Sequence, residues 1–226
     1  MTSYPNGKPS AYEFFLPPGW IRLDLRGEVS DEAKRYASHL MAVVDAPKDR
    51  KARMRTKLTG QMVQQLSKAK EQGVLDMAVP VANEYAPYAH TSFAFRPLPL
   101  PKDEKPINFI SYIASRDNSA QFIEMNELIA LRTEKRVCHE DLDVQAELNQ
   151  EMSTLEVDPQ QVVQIEPGQK LFSSQVQYYI GDPHKSDNWM MVVFSAADDG
   201  TEMMVEFSKH LTVLFDEIMK TVRFHD

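Results

Sequence analysis

The stretch SSQVQYYIGDPHKSDNWMMVVFSA, residues 173–196, carries the reading on which the fold class turns. In its second half Trp189, Met191 and Val193 alternate with Met190, Val192 and Phe194, and both sets are apolar. Successive strand residues point to opposite faces, so a strand apolar on both is central and covered on both sides. In the first half Val176, Tyr178 and Ile180 alternate with Gln175, Gln177 and Tyr179. GDPHKSDN joins the two halves as a hairpin loop, and VVQIEPG, 162–168, predicts a third strand just upstream.

Downstream, residues 201–222 place Met204, Phe207, Leu211, Leu214, Phe215, Ile218 and Val222 at spacings of three and four. That is a helix with a wide apolar face, suited to packing on a sheet. The expected interface joins Trp189, Met191 and Val193 to Phe207, Leu211, Phe215 and Ile218.

Upstream, Pro17-Pro18-Gly19 marks a turn into a strand, where Trp20, Arg22 and Asp24 alternate with Ile21, Leu23 and Leu25. Ser30 is placed to cap a helix bearing Ala33, Ala37, Leu40, Met41 and Val44 on one face, interrupted at Pro47. A second helix over 49–71 carries Met54, Leu58, Met62, Leu66 and Ala69, with Gly73 as the residue past its end. Residues 74–82 and 90–98 read as an antiparallel strand pair, Pro80 ending the first and Phe93 and Phe95 sharing a face of the second. LPLPKDEKP, 98–106, reads as a linker. Residues 107–115 fit strand or helix. Phe122, Met125, Ile129 and Arg132 predict a helix over 119–135, and the next stretch a strand entering an acidic loop. Residues 1–13 read as a flexible N-terminus and 14–226 as a single α+β domain, any division into halves falling at 98–106. Strands in consecutive pairs argue for a mainly antiparallel sheet sandwiched by helices, not a doubly wound parallel fold.

At 226 residues, 42% hydrophobic and 26% charged, the chain has an ordinary globular composition. No apolar run approaches the roughly 20 residues that span a bilayer, so no membrane span is expected. The first residues lack a charged start followed by an apolar stretch, so no classical secretory signal is expected. The single cysteine, Cys138, excludes intramolecular disulfides and clustered-cysteine zinc sites, and a reducing cytoplasm is the expected location.

The net charge of −8 disfavours a globally basic nucleic-acid binder. The charge is unevenly divided. Residues 1–136 hold 20 Lys and Arg against 16 Asp and Glu, whereas residues 137–226 hold 5 against 17. Lys48, Arg50, Lys51, Arg53, Arg55 and Lys57 form the basic run, and 140–158 the acidic one. Such runs are either solvated faces that attract one another or a docking face for a charged partner. The six cations are the candidate partner-binding residues, expected to be exposed and to meet an acidic surface of another protein or of a second copy.

Catalytic patterns fail. None of the eight glycines lie two or five apart, so neither dinucleotide nor P-loop cradles can be written. Neither GxSxG nor HExxH occurs. Cys138 and His139 are adjacent on a strand and point to opposite faces, which prevents a nucleophile–base pair; a buried thiol beside an exposed imidazole is expected. His39, His90, His184, His210 and His225 show no metal-binding pair on one element. No catalytic residue, metal or cofactor is expected. Most of the 12 methionines fall at core spacings, and Tyr85 and Tyr88 join Phe93 and Phe95 as core and hinge residues.

PPGWIRLDL near the start and VQYYIGDPHKSDNWMMVVFSAADDG with LTVLFDEIMKTVRF near the end carry a resemblance. Trp189, Phe194, Ser195, Phe215, Asp216, Ile218, Thr221 and Arg223 stand at its positions. The chain resembles uncharacterised actinobacterial proteins with a PsbP/Mog-type, LpqN-like α/β/α sandwich. That resemblance implies an antiparallel sheet between helices and mostly non-enzymatic binding or assembly roles, with type VII secretion accessories among them. The leading expectation is therefore a non-enzymatic protein-binding or accessory module of the adaptor or chaperone-like kind. A small-ligand-binding or enzymatic domain with a pocket between sheet and helices, and a structural homo-oligomer subunit, are the alternatives.

Overall fold

The computed structural model describes residues 11–81, 91–98, 100, 104–125, 128–139, 171–182, 185 and 188–225. In chain order these form β1 (Ala11–Glu13), β2 (Trp20–Asp24), α1 (Val29–Val43), α2 (Lys48–Glu71), β3 (Asp76–Pro80), β4 (Ser92–Pro97) and α3 (Pro106–Arg116). They continue as β5 (Gln121–Met125), β6 (Leu128–His139), β7 (Leu171–Gly181), β8 (Trp189–Asp198), α4 (Glu202–Met219) and β9 (Arg223–His225). The strand expected at 162–168, the acidic run at 140–158, and Tyr85, Tyr88, His90 and His184 lie outside the described residues.

Seven strands form one antiparallel sheet in the order β2-β3-β4-β8-β7-β6-β5, and β1 pairs with β9 in a small second sheet. The fold is α+β, an antiparallel sheet between helices. β8 lies at the centre, between β4 and β7, as its two apolar faces require. Met190, Val192, Phe194 and Ala196 face one way, into a cluster with Phe93, Phe95, Tyr178 and the α4 residues Leu211, Phe215 and Ile218. Met191, Trp189 and Val193 face the other way and pack with Ile110 and Phe109 of α3. The expected contact between Trp189, Met191, Val193 and the last helix is thus corrected. Period two separates the two rows cleanly, but only the crossover decides which row that helix covers.

On the α3 face, Ala94 of β4 lies beside Val193 and belongs to a third cluster with Leu23, Val79, Ala33 and Leu66, beneath α1 and α2. The α1/α2 hairpin therefore covers the β2–β4 end, and α3 the β8–β6 end.

Residues 119–135 correct the expected helix. The described residues there form β5 and β6, an antiparallel pair with Ile123 opposite Ala130 and Met125 opposite Leu128. Period two decides: Ile123, Met125, Leu128 and Ala130 face α4, while Phe122 and Ile129 are 62% and 67% exposed. The three-and-four spacing had picked residues from both faces. Leu98 and Leu100, within the expected linker, are buried against α3. Ala11–Glu13, expected to be frayed, pair with the C-terminal strand. Ser30 lies inside α1, whose N-cap is Glu28, and the acidic Asp31 and Glu32 favour the start through the helix dipole. Gly73 follows α2 at φ +85°, the left-handed conformation glycine adopts without a Cβ clash.

Candidate partner-binding site

The basic run occupies the first turns of α2. Val44–Pro47 turns the chain from α1 into α2, and the two helices return along one another. At 24 residues against 15, α2 is about 36 Å long and α1 about 22 Å. Only its second half is anchored. Met62, Val63, Leu66 and Ala69 meet Val29, Ala33 and Tyr36 over the sheet, and no α2 residue before Met62 joins a core cluster.

At the tip the same interhelical seam changes character. Lys48, Lys51, Ala52 and Arg55 of α2 face Ser38, Met41 and Ala42 of α1 around a cleft of about 270 Å³. On the flank, Ala52, Arg53, Thr56 and Lys57 line a shallower depression. Lys48, Arg50, Arg53 and Arg55 are exposed, and Lys51 and Lys57 half-buried. Over residues 38–60 six cations stand against Asp45 and Asp49, leaving four net positive charges in a chain of net charge −8.

Pro47 at the N-cap supplies no side-chain cap bond, and the first helical bond runs from the Lys51 N–H to the Pro47 carbonyl at 2.9 Å. The open amides and the positive dipole end reinforce the cationic side chains. Among the described residues, Lys48, Lys51, Arg53, Arg55 and Lys57 make no ion pair.

Elsewhere, the buried Asp76 and Asp198 and the half-buried Asp216 serve the fold. Asp76, fully buried, accepts from the Arg22 Nε at 2.7 Å and from the Tyr12 hydroxyl, which pins β1 to the sheet. Asp216 of α4 accepts from the Tyr178 hydroxyl at 2.7 Å and the Arg132 Nε at 3.1 Å. Asp198 accepts from Arg136 at 2.5 Å and from the Gly200 N–H at 2.9 Å. Burial, reinforced by the neighbouring carboxylates, pushes the Tyr12 and Tyr178 hydroxyls well above the usual phenol range. Both keep their protons at neutral pH and tie elements together.

Cys138 is exposed, correcting the expected buried thiol. It lies near the end of β6, on the row of Phe172 and Asp198. Phe93 and Phe95 are core residues, each 1% exposed. His39 and His210 lie on separate helices, and no group of three His, Cys, Asp or Glu among the described residues is placed to hold a metal. Among the described residues no helix is long and apolar enough to cross a membrane.

Of the six cations named from the sequence, Lys48, Lys51 and Arg55 line the seam and Arg53 and Lys57 the flank, a division the sequence reading did not make. The signal was present: Lys48, Lys51 and Arg55 stand 18, 15 and 11 residues before Leu66, near whole numbers of 3.6-residue turns. No protein family model, curated protein or solved structure matches the chain.

Proposed function

We propose that this chain is a non-enzymatic protein-binding module, an adaptor or accessory that docks an acidic surface of another protein on the tip of the α1/α2 hairpin. The observation that carries the reading is the run of five cations without ion pairs among the described residues, on a helical projection held clear of the core. Complementary charge raises association rate and selectivity, and is screened over about 8 Å at physiological salt. The resemblance to LpqN-like sandwiches supports a binding role and makes a type VII secretion accessory one setting for it.

The test is affinity capture from extracts of the source cells at low and high salt, with the native chain and with Arg50, Arg53 and Arg55 reversed to Glu. The native chain is expected to retain an acidic protein that high salt releases. The triple variant is expected to lose it with an unchanged melting temperature. Identical capture by both chains overturns the reading, and a lowered melting temperature with unchanged capture assigns the run to the fold.

A further inference from the structure

We propose that the seam cleft at the hairpin tip seats an acidic amphipathic helix of the partner, laid along α1 and α2 as a third helix. The inference rests on the docking reading above and specifies the form of the partner. In a two-helix seam the facing positions are ordinarily apolar, and at the base they are: Met62, Leu66 and Ala69. At the tip, positions in register with Leu66 are Lys48, Lys51 and Arg55, and α1 answers with Ser38, Met41 and Ala42, none of them acidic. The acidic residues of α1, Asp31 and Glu32, are at its far end and pair with Lys34 and Arg35. Lys51 is half-buried and Lys48 and Arg55 stand exposed beside it, so the wall of the cleft is cationic and charge complementarity favours an occupant carrying carboxylates.

The spacing chooses the shape of that occupant. Three cations at i, i+3 and i+7 span about 10 Å along the helix axis. A point anion reaches one or two of them. A helix with Asp or Glu at i, i+3 or i+4 and i+7 presents three carboxylates over the same length. A strand of like charge would need a sheet edge for its backbone groups, and the cleft is walled by two helices, whereas a helix satisfies its own. Met41, Ala42 and Ala52 form an apolar floor for one aliphatic anchor between the carboxylates, and the two alanines permit close approach.

The experiment uses the full chain and fluorescence anisotropy. Its probes are a labelled 20-residue peptide with Leu and Glu at helical spacing and a scrambled peptide of identical composition. The helical peptide is expected to bind at least about tenfold more tightly than the scrambled one, a difference of about 1.4 kcal/mol. Lys51→Glu with Arg55→Glu is expected to weaken it by about tenfold or more, and the flank pair Arg53→Glu with Lys57→Glu by about twofold. Ala52→Leu, which fills the cleft without changing charge, is expected to weaken it as much as the seam pair. Melting curves verify that each variant is folded. Equal binding of both peptides, equal effects of seam and flank pairs, or an unaffected Ala52→Leu variant overturns the inference while leaving the broader docking reading intact. A native chain that binds neither acidic peptides nor acidic proteins overturns both. Anionic phospholipid vesicles that capture the native chain and Ala52→Leu equally would replace the partner helix with a membrane surface.

Discussion

The two ends of the α1/α2 hairpin use one seam in opposite ways. At the base Leu66 is 1% exposed among Leu23, Leu25, Ala33 and Val79. At the tip, five turns earlier on the same face, Lys48 stands beside an open cleft. The base contributes stability by burying apolar area. The tip contributes little of it, and the cations of the first turn, Lys48, Arg50 and Lys51, oppose the helix dipole by some tenths of a kcal/mol each. An isolated helix of this kind is marginal in water, so the anchored half holds the charged half in shape. A long helix can thus be divided along its length, one half spent on the core and the other presented.

The largest expected effect lies at the base. Leu66→Ala should cost about 2–5 kcal/mol in chemical denaturation, whereas Lys51→Ala, on the same face, should stay within about 0.5 kcal/mol. Similar losses at both sites would break the comparison. A smaller, opposite effect is expected from making the tip resemble the base. Lys51→Leu with Arg55→Leu continues the apolar stripe toward Met41 and should stabilise by about 0.5–2 kcal/mol, with acidic-peptide binding weakened, though less than by the reversal of the same two charges. A fall in melting temperature would show that the native cations already support the hairpin.

The smallest effect concerns pH. Asp24, at the end of β2 on the face turned away from α1 and α2, accepts from the Arg26 Nε at 2.8 Å, and this bond holds its carboxyl below the usual range against the opposing effect of partial burial. A depressed folded pKa gives stability that is present above the unfolded value near 3.9 and lost as pH falls through the folded one. The side chain is 45% exposed, so solvent screening leaves only some tenths of a kcal/mol. Asp24→Asn should flatten the stability profile slightly between about pH 5 and pH 2. An unchanged slope would remove Asp24 from the acid response.

Much of this is legible in the sequence. The central position of β8 followed from its two apolar rows, and Pro47 and Gly73 bracketed α2 as the backbone rules require. The β5–β6 strand pair was not legible, because Phe122, Met125, Ile129 and Arg132 fall at helical spacing by coincidence. Half of those side chains serve no apolar face at all: Phe122 and Ile129 remain exposed. At the site, the stripe drawn through Met54, Leu58, Met62 and Leu66 obscured the seam. A strict four-residue step drifts by about 40° per repeat from a 3.6-residue turn, so Met54 has left the face that Lys48, Lys51 and Arg55 occupy. All six cations were visible as a run, but their roles depend on which of them α1 lies against.

The sequence by itself determined the local periods, the helix breaks and the charge division, because these depend on side-chain type and on spacing along one chain. It specified that β8 has two buried faces and that α2 changes from cationic to apolar along its length. Only the tertiary structure decided that α4 covers the row of Met190, Val192 and Phe194 while α3 covers that of Met191 and Val193. The two rows are equally apolar, so their hydrophobicity cannot choose between helices; the chain's crossovers do. The same holds for the cleft, which exists because α1 ends beside Lys48, Lys51 and Arg55 with small and uncharged side chains, a juxtaposition that neither helix encodes alone.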